Sequence, residues 1–220
     1  HLAVIMDGNG RWAQKKDLRR IEGHKEGVKV VKKIVKHCVK LGIEYLTLYT
    51  LSKENFQRPV SEILFLFKLF CRTLENELNL LLDNNVKFRV IGDLNKIDKI
   101  TLSKLRKVEK LTYNNKNLTL NLAISYSGRD EIVNSLNEII ISNHKKIDEK
   151  LVSNYLMTGN MPDPDFLIRT GGEFRISNFL LWQIAYTELF FTKILWPDFS
   201  EHYLEKAISD YKNRQRRFGR

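Results

Sequence analysis

The sequence predicts a single α/β domain with a mostly parallel central sheet of about six strands flanked by helices. Strand-like apolar runs alternate with helix-like amphipathic segments at least five times, as in right-handed crossovers between parallel strands. A length of 220 residues suits one large α/β domain. No shift in composition, linker or internal repeat divides the chain, so residues 1–220 are expected to form one domain.

The first strand and the loop after it hold the most informative residues. Residues 2–6 are apolar and predict a buried strand. The strand stops at Asp7, where open α/β sheets place their ligands, and a Gly-Asn-Gly turn follows at 8–10. Arg11 adds a guanidinium suited to phosphate oxygens. The stretch predicts an anion-binding loop beside a carboxylate for Mg²⁺; an ordinary turn with a solvated Asp7 is the alternative.

The next segments predict a helix, a strand and a second polar loop. Valines and isoleucine at helical spacing indicate a helix over 25–41, which Gly42 ends, and residues 44–51 indicate the second strand. The Pro-terminated loop 52–59 carries Asn55 and Arg58 as candidate ligand contacts, with ordinary surface positions as the alternative.

A long apolar helix is predicted over residues 61–82, with Ser61 as its N-cap. Core packing is the usual explanation for so broad an apolar face, and the wall of a pocket for a long apolar ligand is the alternative. The apolar face comprises Ile63, Leu64, Phe67, Phe70, Leu74, Leu78, Leu81 and Leu82.

The second half of the chain repeats the order of strand, loop and helix. Residues 128–130, Gly-Arg-Asp, follow one of these strands, and the aromatic-rich segment 179–191 contains Glu188. The arginine-rich end of the chain, from Arg214, indicates a solvated tail. Further strands are predicted over 86–91, 118–124 and 166–168, helices over 99–113, 131–141, 147–157 and 201–214, and a turn over 195–199.

A second glycine-rich loop follows the strand at 166–168. Arg169 and Arg175 flank Gly171-Gly172, and Ser177 follows, which predicts another anion site of diphosphate size. Because the loops after parallel strands share one sheet edge, the two anion sites can converge on two phosphorylated substrates. The sequence lacks a Gly-x-x-x-x-Gly-Lys phosphate loop, a Gly-x-Ser-x-Gly elbow and zinc-spaced Cys or His residues.

Composition and charge limit the remaining classes. Hydrophobic residues make up 43% and charged residues 29% of the chain, and no apolar run approaches the roughly 20 residues of a membrane span. The net charge of +11 suits nucleic acid, an anionic membrane or a phosphorylated substrate, but the lysines are scattered instead of forming one stripe, so nucleic acid is not expected.

The two cysteines, Cys38 and Cys71, lie in apolar helical stretches and are expected to be free thiols in a reducing compartment. No signal peptide is visible, although the chain begins at His1 and not Met, which leaves a targeting segment open.

Five motifs in order resemble those of the cis-prenyltransferase family, and most closely its bacterial undecaprenyl diphosphate synthases. They cover essentially the whole chain. Phe56 is the one departure, because many members carry Trp there. The motifs are Met-Asp-Gly-Asn-Gly-Arg-Trp at 6–12, Gly-His at 23–24, Ser-Lys-Glu-Asn-Phe-Gln-Arg-Pro at 52–59, Ile-Arg-Thr-Gly-Gly-Glu at 168–173 with Arg-Ile-Ser at 175–177, and Leu-Trp-Pro-Asp at 195–198.

This resemblance implies an Mg²⁺-dependent enzyme that condenses isopentenyl diphosphate successively onto farnesyl diphosphate. The expected product is a long-chain polyprenyl diphosphate of the undecaprenyl type, a precursor of the lipid carrier for cell-wall synthesis. The resemblance also implies a homodimer that is cytoplasmic, with peripheral contact at the membrane surface. It implies an apolar tunnel beside the sheet, lined in part by members of the set Leu64, Phe67, Phe70 and Leu74.

The resemblance assigns roles residue by residue. Asp7 would hold Mg²⁺ and help the allylic diphosphate leave, and Asn55 would lie beside the reacting centre. Glu188 would be a second metal carboxylate, supplied from the partner subunit's side of a dimer interface. Arg169, Arg175 and Ser177 would bind isopentenyl diphosphate. The allylic substrate would contact Gly8, Asn9, Gly10, Arg11, Trp12, Arg20, His24, Ser52, Glu54, Phe56 and Arg58.

Two other classes of function stay open as alternatives. A non-catalytic subunit of a heteromeric prenyltransferase would be expected to lose Asp7 or the first glycine loop, and this chain keeps both. A nucleic-acid-binding protein would depend on the basic charge alone.

Overall fold

The computed structural model describes residues 1–57 and 59–215. The strands of the described residues are β1 (Leu2–Ile5), β2 (Tyr45–Ser52), β3 (Val86–Ile91), β4 (Leu118–Tyr126), β5 (Phe166–Arg169) and β6 (Glu188–Phe191). They pair in parallel throughout, in the order β3-β4-β2-β1-β5-β6. The predicted α/β class with a parallel sheet of six strands is confirmed.

Helices connect the strands and cover both faces of the sheet. The helices are α1 (Asn9–Gln14), α2 (Arg20–Lys40), α3 (Val60–Asp83), α4 (Lys99–Leu111), α5 (Gly128–Ile141), α6 (Glu149–Tyr155) and α7 (Glu201–Lys212). Short 3₁₀ helices occur at Lys53–Gln57, Leu94–Lys96 and Trp196–Asp198.

Apolar side chains from alternate strand positions build two cores, one on each face. Leu2 and Val4 of β1 join the larger core, which includes buried residues of α2, α3 and α7. Ala3 and Ile5 join the smaller core with Phe179. Because both faces of a parallel sheet are covered, its strands are continuous apolar runs instead of alternating ones, and this is the pattern that made them predictable.

Several local predictions were wrong. Residues 9–14 form α1 instead of a loop, because Gly8 takes a left-handed conformation, with φ of 114°, and caps a helix at once. The predicted N-cap Ser61 lies inside α3, whose N-cap is Pro59. The helix predicted from residue 25 begins five residues earlier, at Arg20.

The sixth strand was not located in the sequence. Among the described strands β6 pairs only with β5, and its residues are partly exposed. An edge strand without a buried run or clean alternation gives a weak sequence signal.

The Cys38 thiol is free and fully buried, as expected, and burial raises its pKa to about 12. The side chain of Cys71 and the predicted basic tail beyond residue 215 lie outside the described part. None of the described helices combines the length and apolar character that crossing a bilayer requires.

Candidate active site

Asp7 lies directly beyond β1 and joins the two loops that the sequence singled out. One carboxylate oxygen pairs with Arg11 at 3.0 Å, and the other accepts a hydrogen bond from Arg169 Nη2 at 2.9 Å. The backbone of Asp7 is also fixed, because its N–H donates to Thr170 Oγ1 at 3.0 Å and its carbonyl accepts from Trp196 N at 3.0 Å. Asp7 therefore faces the site from a backbone held by two neighbouring segments.

The two arginines keep Asp7 ionised. Partial burial alone would raise the pKa of this carboxyl group, but the hydrogen bonds and charges of Arg169 and Arg11 outweigh burial, so the net pKa is lowered. The side chain is thus a carboxylate at neutral pH.

Arg169 is the buried centre of the second loop, with 3% of its surface exposed. Its Nη1 donates to Ser177 Oγ at 2.9 Å and to the carbonyl of Arg175, while its Nη2 donates to Asp7. Its Nε has no partner among the described residues. Arg175 is more exposed and pairs with Glu173 at 2.5 Å. Thus Arg169 orders the loop, and Arg175 is the more available cation.

The first glycine loop depends on a close approach between α1 and α2. A methyl group at Gly23 would overlap the carbonyl oxygen of Asn9, and one at Gly27 would overlap the Asn9 side chain. The buried Trp196 ring donates from Nε1 to the Gly27 carbonyl at 2.9 Å. Two glycines one turn apart therefore let α2 seat the loop, with Trp196 packed against the same helix.

Arg20 and His24 begin α2 and face the amino-terminal end of α3. Arg20 Nε lies 3.3 Å from Glu62 Oε1, and His24 Nε2 lies 3.8 Å from the same oxygen. Glu62 was not among the predicted site residues, although it follows the Arg-Pro of the polar loop by only a few positions.

The loop after β2 is braced by its own side chains. Ser52 Oγ accepts from Asn55 N at 3.2 Å, and Asn55 Oδ1 accepts from Ser52 N at 3.4 Å. Glu54 accepts a hydrogen bond from Asn178 at 2.8 Å, and although burial favours a higher value, this bond contributes to a lowered pKa. Phe56 packs toward Phe67, with ring centroids 6.2 Å apart.

A cavity of about 800 Å³ joins these groups to an apolar throat. Its polar mouth contains both arginine clusters, and its inner wall is formed by α2, α3 and the sheet. Phe67, Phe70 and Leu74 line it as expected, but Leu64 is 54% exposed and does not. The predicted site residues along the cavity are Asp7, Gly8, Asn9, Gly10, Arg11, Arg20, His24, Ser52, Asn55, Arg169, Arg175 and Ser177.

Of the predicted site residues that the structure describes, four are not among the cavity-lining residues. The Trp12 indole donates to Asp198 at 2.7 Å, so it anchors α1 to the segment after β6. Glu54 accepts a hydrogen bond from Asn178, and Phe56 packs toward Phe67, as described above. Arg58 lies outside the described residues.

Glu188 is the fourth described site residue that does not line the cavity. It opens β6 opposite Phe166 and pairs with Arg214 at 2.9 Å. Phe166 pairs with Leu2, the first residue of β1, whereas Asp7 lies beyond the last one, so at about 3.3 Å per residue Glu188 is more than a dozen Å away within one chain.

The side chains of the site suit a hard cation that is held jointly by the protein and by the oxygens of a diphosphate. No three His, Cys, Asp or Glu side chains converge as a metal site within residues 1–57 and 59–215. Mg²⁺ in phosphate-binding sites is commonly held by one or two carboxylates together with phosphate oxygens. The ionised Asp7, at the mouth of a cavity rich in arginine, matches that pattern.

The sequence analysis did not identify two polar residues, Asn178 and Glu131, that form hydrogen bonds near the site. Asn178 takes a left-handed conformation and donates to Glu54 and to Ser127, so it ties the loops after β2, β4 and β5 together. The sequence Arg-Ile-Ser-Asn at 175–178 does not by itself indicate that Asn178 connects these loops. Because Asn tolerates left-handed backbone, it fits this corner.

Glu131 is buried and hydrogen-bonded to Tyr126, Gln183 and the N–H of Met157. Burial raises its pKa despite these bonds. The sequence did contain one indication that Glu131 is buried. Glu131, Ser135 and Ile139 are spaced four residues apart, and they share the buried face of α5.

Comparisons with known proteins agree with this geometry. The family model described as "Putative undecaprenyl diphosphate synthase" matches residues 5–219. The isoprenyl transferase of Neisseria gonorrhoeae is 48% identical over 220 residues, which cover all of this chain and 89% of that protein. The isoprenyl transferase of Clostridium tetani is 49% identical over 225 residues, covering all of this chain and 88% of that protein.

Solved structures extend the similarity to the whole fold. A lavandulyl diphosphate synthase from Lavandula x intermedia, in complex with dimethylallyl diphosphate, has a TM-score of 0.97 at 36% identity and covers 100% of this chain and 98% of its own. A probable undecaprenyl diphosphate synthase from Campylobacter jejuni has a TM-score of 0.86 at 35% identity, with the same coverage. Since similar folds carry different product names, the fold alone does not define the product.

Proposed function

The chain belongs to the undecaprenyl diphosphate synthase family of prenyltransferases, and from this premise we propose that it condenses isopentenyl diphosphate successively onto farnesyl diphosphate. The product is a long-chain polyprenyl diphosphate of the undecaprenyl type, which serves as a precursor of the lipid carrier for cell-wall synthesis. The lengthened prenyl product stays bound in the site between additions of isopentenyl diphosphate.

One observation carries this proposal: two cationic clusters open into the same cavity. Arg20 and His24 lie with the first glycine loop, and Arg169 and Arg175 lie with the second. Asp7 stands between them, because it is paired with Arg11 on one side and Arg169 on the other. Two diphosphates bound there would bring their reactive ends toward one carboxylate.

The charges of the site suit departure of the allylic diphosphate. Negative charge builds on this leaving group as its carbon–oxygen bond breaks, and preorganised N–H donors and arginines stabilise it. Arg11 and the N–H groups of the glycine loop face the leaving group, while Arg169 and Ser177 hold the second substrate. Asp7 would hold Mg²⁺, which supplies Lewis-acid stabilisation of the developing phosphate charge.

The apolar throat suits a growing hydrocarbon. Each CH₂ that leaves water for an apolar wall gains about 0.8 kcal/mol, so each added unit favours the inner cavity over solvent. Phe67, Phe70 and Leu74 of α3 supply this wall opposite the sheet.

We extend the proposal to a homodimer that acts in the cytoplasm or at the membrane surface. β6 is an open sheet edge, and exposed Phe174 and Tyr186 flank it. In such a dimer Glu188 of one chain would approach the site of the other, which is the arrangement that a second metal carboxylate from a partner requires.

The test incubates the purified chain with farnesyl diphosphate, isopentenyl diphosphate and Mg²⁺ and identifies lipids by mass spectrometry. A ladder of products that differ by one isoprene unit is expected, and Asp7→Ala should abolish it in a protein whose circular dichroism spectrum shows that it remains folded. Dimethylallyl diphosphate is tested as an alternative primer, because the lavandulyl diphosphate synthase structure contains it.

The outcomes separate the alternatives. Absence of elongated lipid from the folded wild-type chain alone would reject the proposal and favour a non-catalytic subunit. Near-normal turnover by Asp7→Ala would remove Asp7 from the reaction.

A further inference from the structure

Two charged residues lie partway along the apolar wall of the cavity. Lys32 of α2 and Glu77 of α3 form an ion pair across the gap between the two helices, and both line the cavity. The other acidic and basic side chains along the described lining belong to the mouth, and they are Asp7, Arg11, Arg20, His24, Arg169 and Arg175.

The pair interrupts two apolar faces. Spacings of three and four residues place each charge on the same helix face as its apolar neighbours. A surface lysine or glutamate would instead lie on the opposite, solvated face. The apolar cavity-lining neighbours at these spacings include Val28 and Val35 for Lys32, and Leu74 and Leu81 for Glu77.

The pair stands partway down the cavity. His24 lies at the mouth, and Lys32 follows eight residues later on α2, about 12 Å along the helix axis. The cavity continues past this level to Leu80 and Leu81 of α3 and to Phe88 and Leu120 of the sheet. A hydrocarbon that lengthens from the mouth therefore meets the level of the pair before the innermost wall.

The location of the pair indicates that it acts on the bound hydrocarbon and contributes little to the stability of the fold. The side chains of Lys32 and Glu77 are 39% and 20% exposed, and ion pairs that retain water contribute little to the free energy of unfolding. Hydrocarbon pressed against the pair would remove that water without offering a hydrogen bond in return. The wall is thus favourable for hydrocarbon except at this position.

We propose that Lys32 and Glu77 determine product length, because their ion pair closes the seam between α2 and α3 against the advancing hydrocarbon end. Elongation slows once the chain fills the cavity and must part the pair to go further. This inference rests on the proposed chain elongation, and it adds the specificity-determining residues.

The test compares product lengths by mass spectrometry under one set of substrate concentrations. K32M/E77L replaces the pair with apolar side chains of similar size and is expected to shift the main product by at least one isoprene unit toward longer chains. K32E/E77K keeps a reversed pair and should retain the wild-type length. The matched control E26L/K29M removes the exposed Lys29–Glu26 pair of α2, outside the cavity, and should also retain it.

The results separate this inference from the proposed function. An active K32M/E77L enzyme with unchanged or shorter products would overturn the inference, as would an equal lengthening in K32E/E77K or in the control. If K32M/E77L fails to fold, K32Q/E77Q removes the charges with less change in polarity, and the same lengthening is required of it. Wild-type protein that makes no polyprenyl product would reject the proposed function instead.

Discussion

At the scale of single residues, the site is organised by a carboxylate that two arginines share. The sequence predicted Asp7, Arg11 and Arg169 as separate ligands of metal or phosphate. In the structure they contact one another directly. Such contacts depend on which strands are neighbours, and the strand order β2-β1-β5 is not encoded in the local pattern around any of the three.

The pH dependence of stability tests the environment of Asp7. Because its folded-state pKa is lowered below the unfolded value of about 3.9, its ion pairs stabilise the protein above that value and are lost as pH falls through the folded pKa. The difference in free energy of unfolding between wild type and Asp7→Asn should be constant from about pH 7 to 5 and change below about pH 4. Urea unfolding at several pH values measures it.

Asp17→Asn, at an exposed position beyond α1, is the control for this comparison. A midpoint for the Asp7 effect above about pH 5 would contradict the assigned arginine contacts.

Substrate kinetics test the second loop. Arg175→Ala removes the exposed cation beside Arg169 and should raise the KM for isopentenyl diphosphate about tenfold or more, since hydrogen bonds to charged groups contribute about 1.5–3 kcal/mol. The KM for farnesyl diphosphate should change little. Steady-state kinetics with each substrate varied in turn gives both constants.

Arg106→Ala is a matched control, because Arg106 also pairs with a nearby glutamate and is 60% exposed, against 59% for Arg175. Equal effects on both substrates would place Arg175 outside the isopentenyl diphosphate site.

At the scale of elements, periodicity predicted the buried strands and long helices well. β3 was predicted with its observed bounds, and α4 and α5 differ only at one end. Prediction failed at α1 and β6, which are short and take their shape from neighbours. A left-handed Gly8 starts α1, and pairing with β5 defines β6.

Packing of α2 against α1 gives a test at this scale. Gly23→Ala would place a methyl group against the Asn9 carbonyl and should lower the free energy of unfolding by about 1–3 kcal/mol, the usual cost of overpacking. Displacement of Asn9 should also weaken allylic substrate binding. Urea unfolding and substrate titration measure the two effects.

Lys29→Ala, on the exposed face of the same helix, should change stability by less than about 0.5 kcal/mol. A Gly23→Ala protein as stable as this control would show that α1 and α2 do not require the close approach.

At the scale of the whole molecule, the sequence predicted which loops share the sheet edge but not how the cavity is closed. The alternation of strands and helices was enough to place the segments 7–11, 52–57 and 169–177, which follow three of the strands, at the same sheet edge. The assignment of α3 side chains to tunnel or solvent was only partly predictable, because the helix is apolar around much of its circumference. Leu64 is exposed to solvent, whereas Phe67, three residues later, lines the cavity.

The open edge at β6 leads to a prediction about assembly. Leu189→Lys places a charge on the exposed edge strand, which opposes pairing between edges, and should shift the protein from dimer to monomer. Leu111→Lys, at an exposed apolar position of α4, should not. Sedimentation velocity measures both, and a wild-type protein that is monomeric and fully active would reject the proposed dimer.

The central claim is that two diphosphates meet at Asp7 while one hydrocarbon enters the throat between α2, α3 and the sheet. A crystal structure with isopentenyl diphosphate and the unreactive analogue farnesyl thiodiphosphate tests it directly. We expect one diphosphate beside Arg20 and the first glycine loop, the other beside Arg169 and Arg175, and the farnesyl chain along Phe67 and Phe70. Diphosphates on separate faces, or a farnesyl chain outside the cavity, would contradict the account.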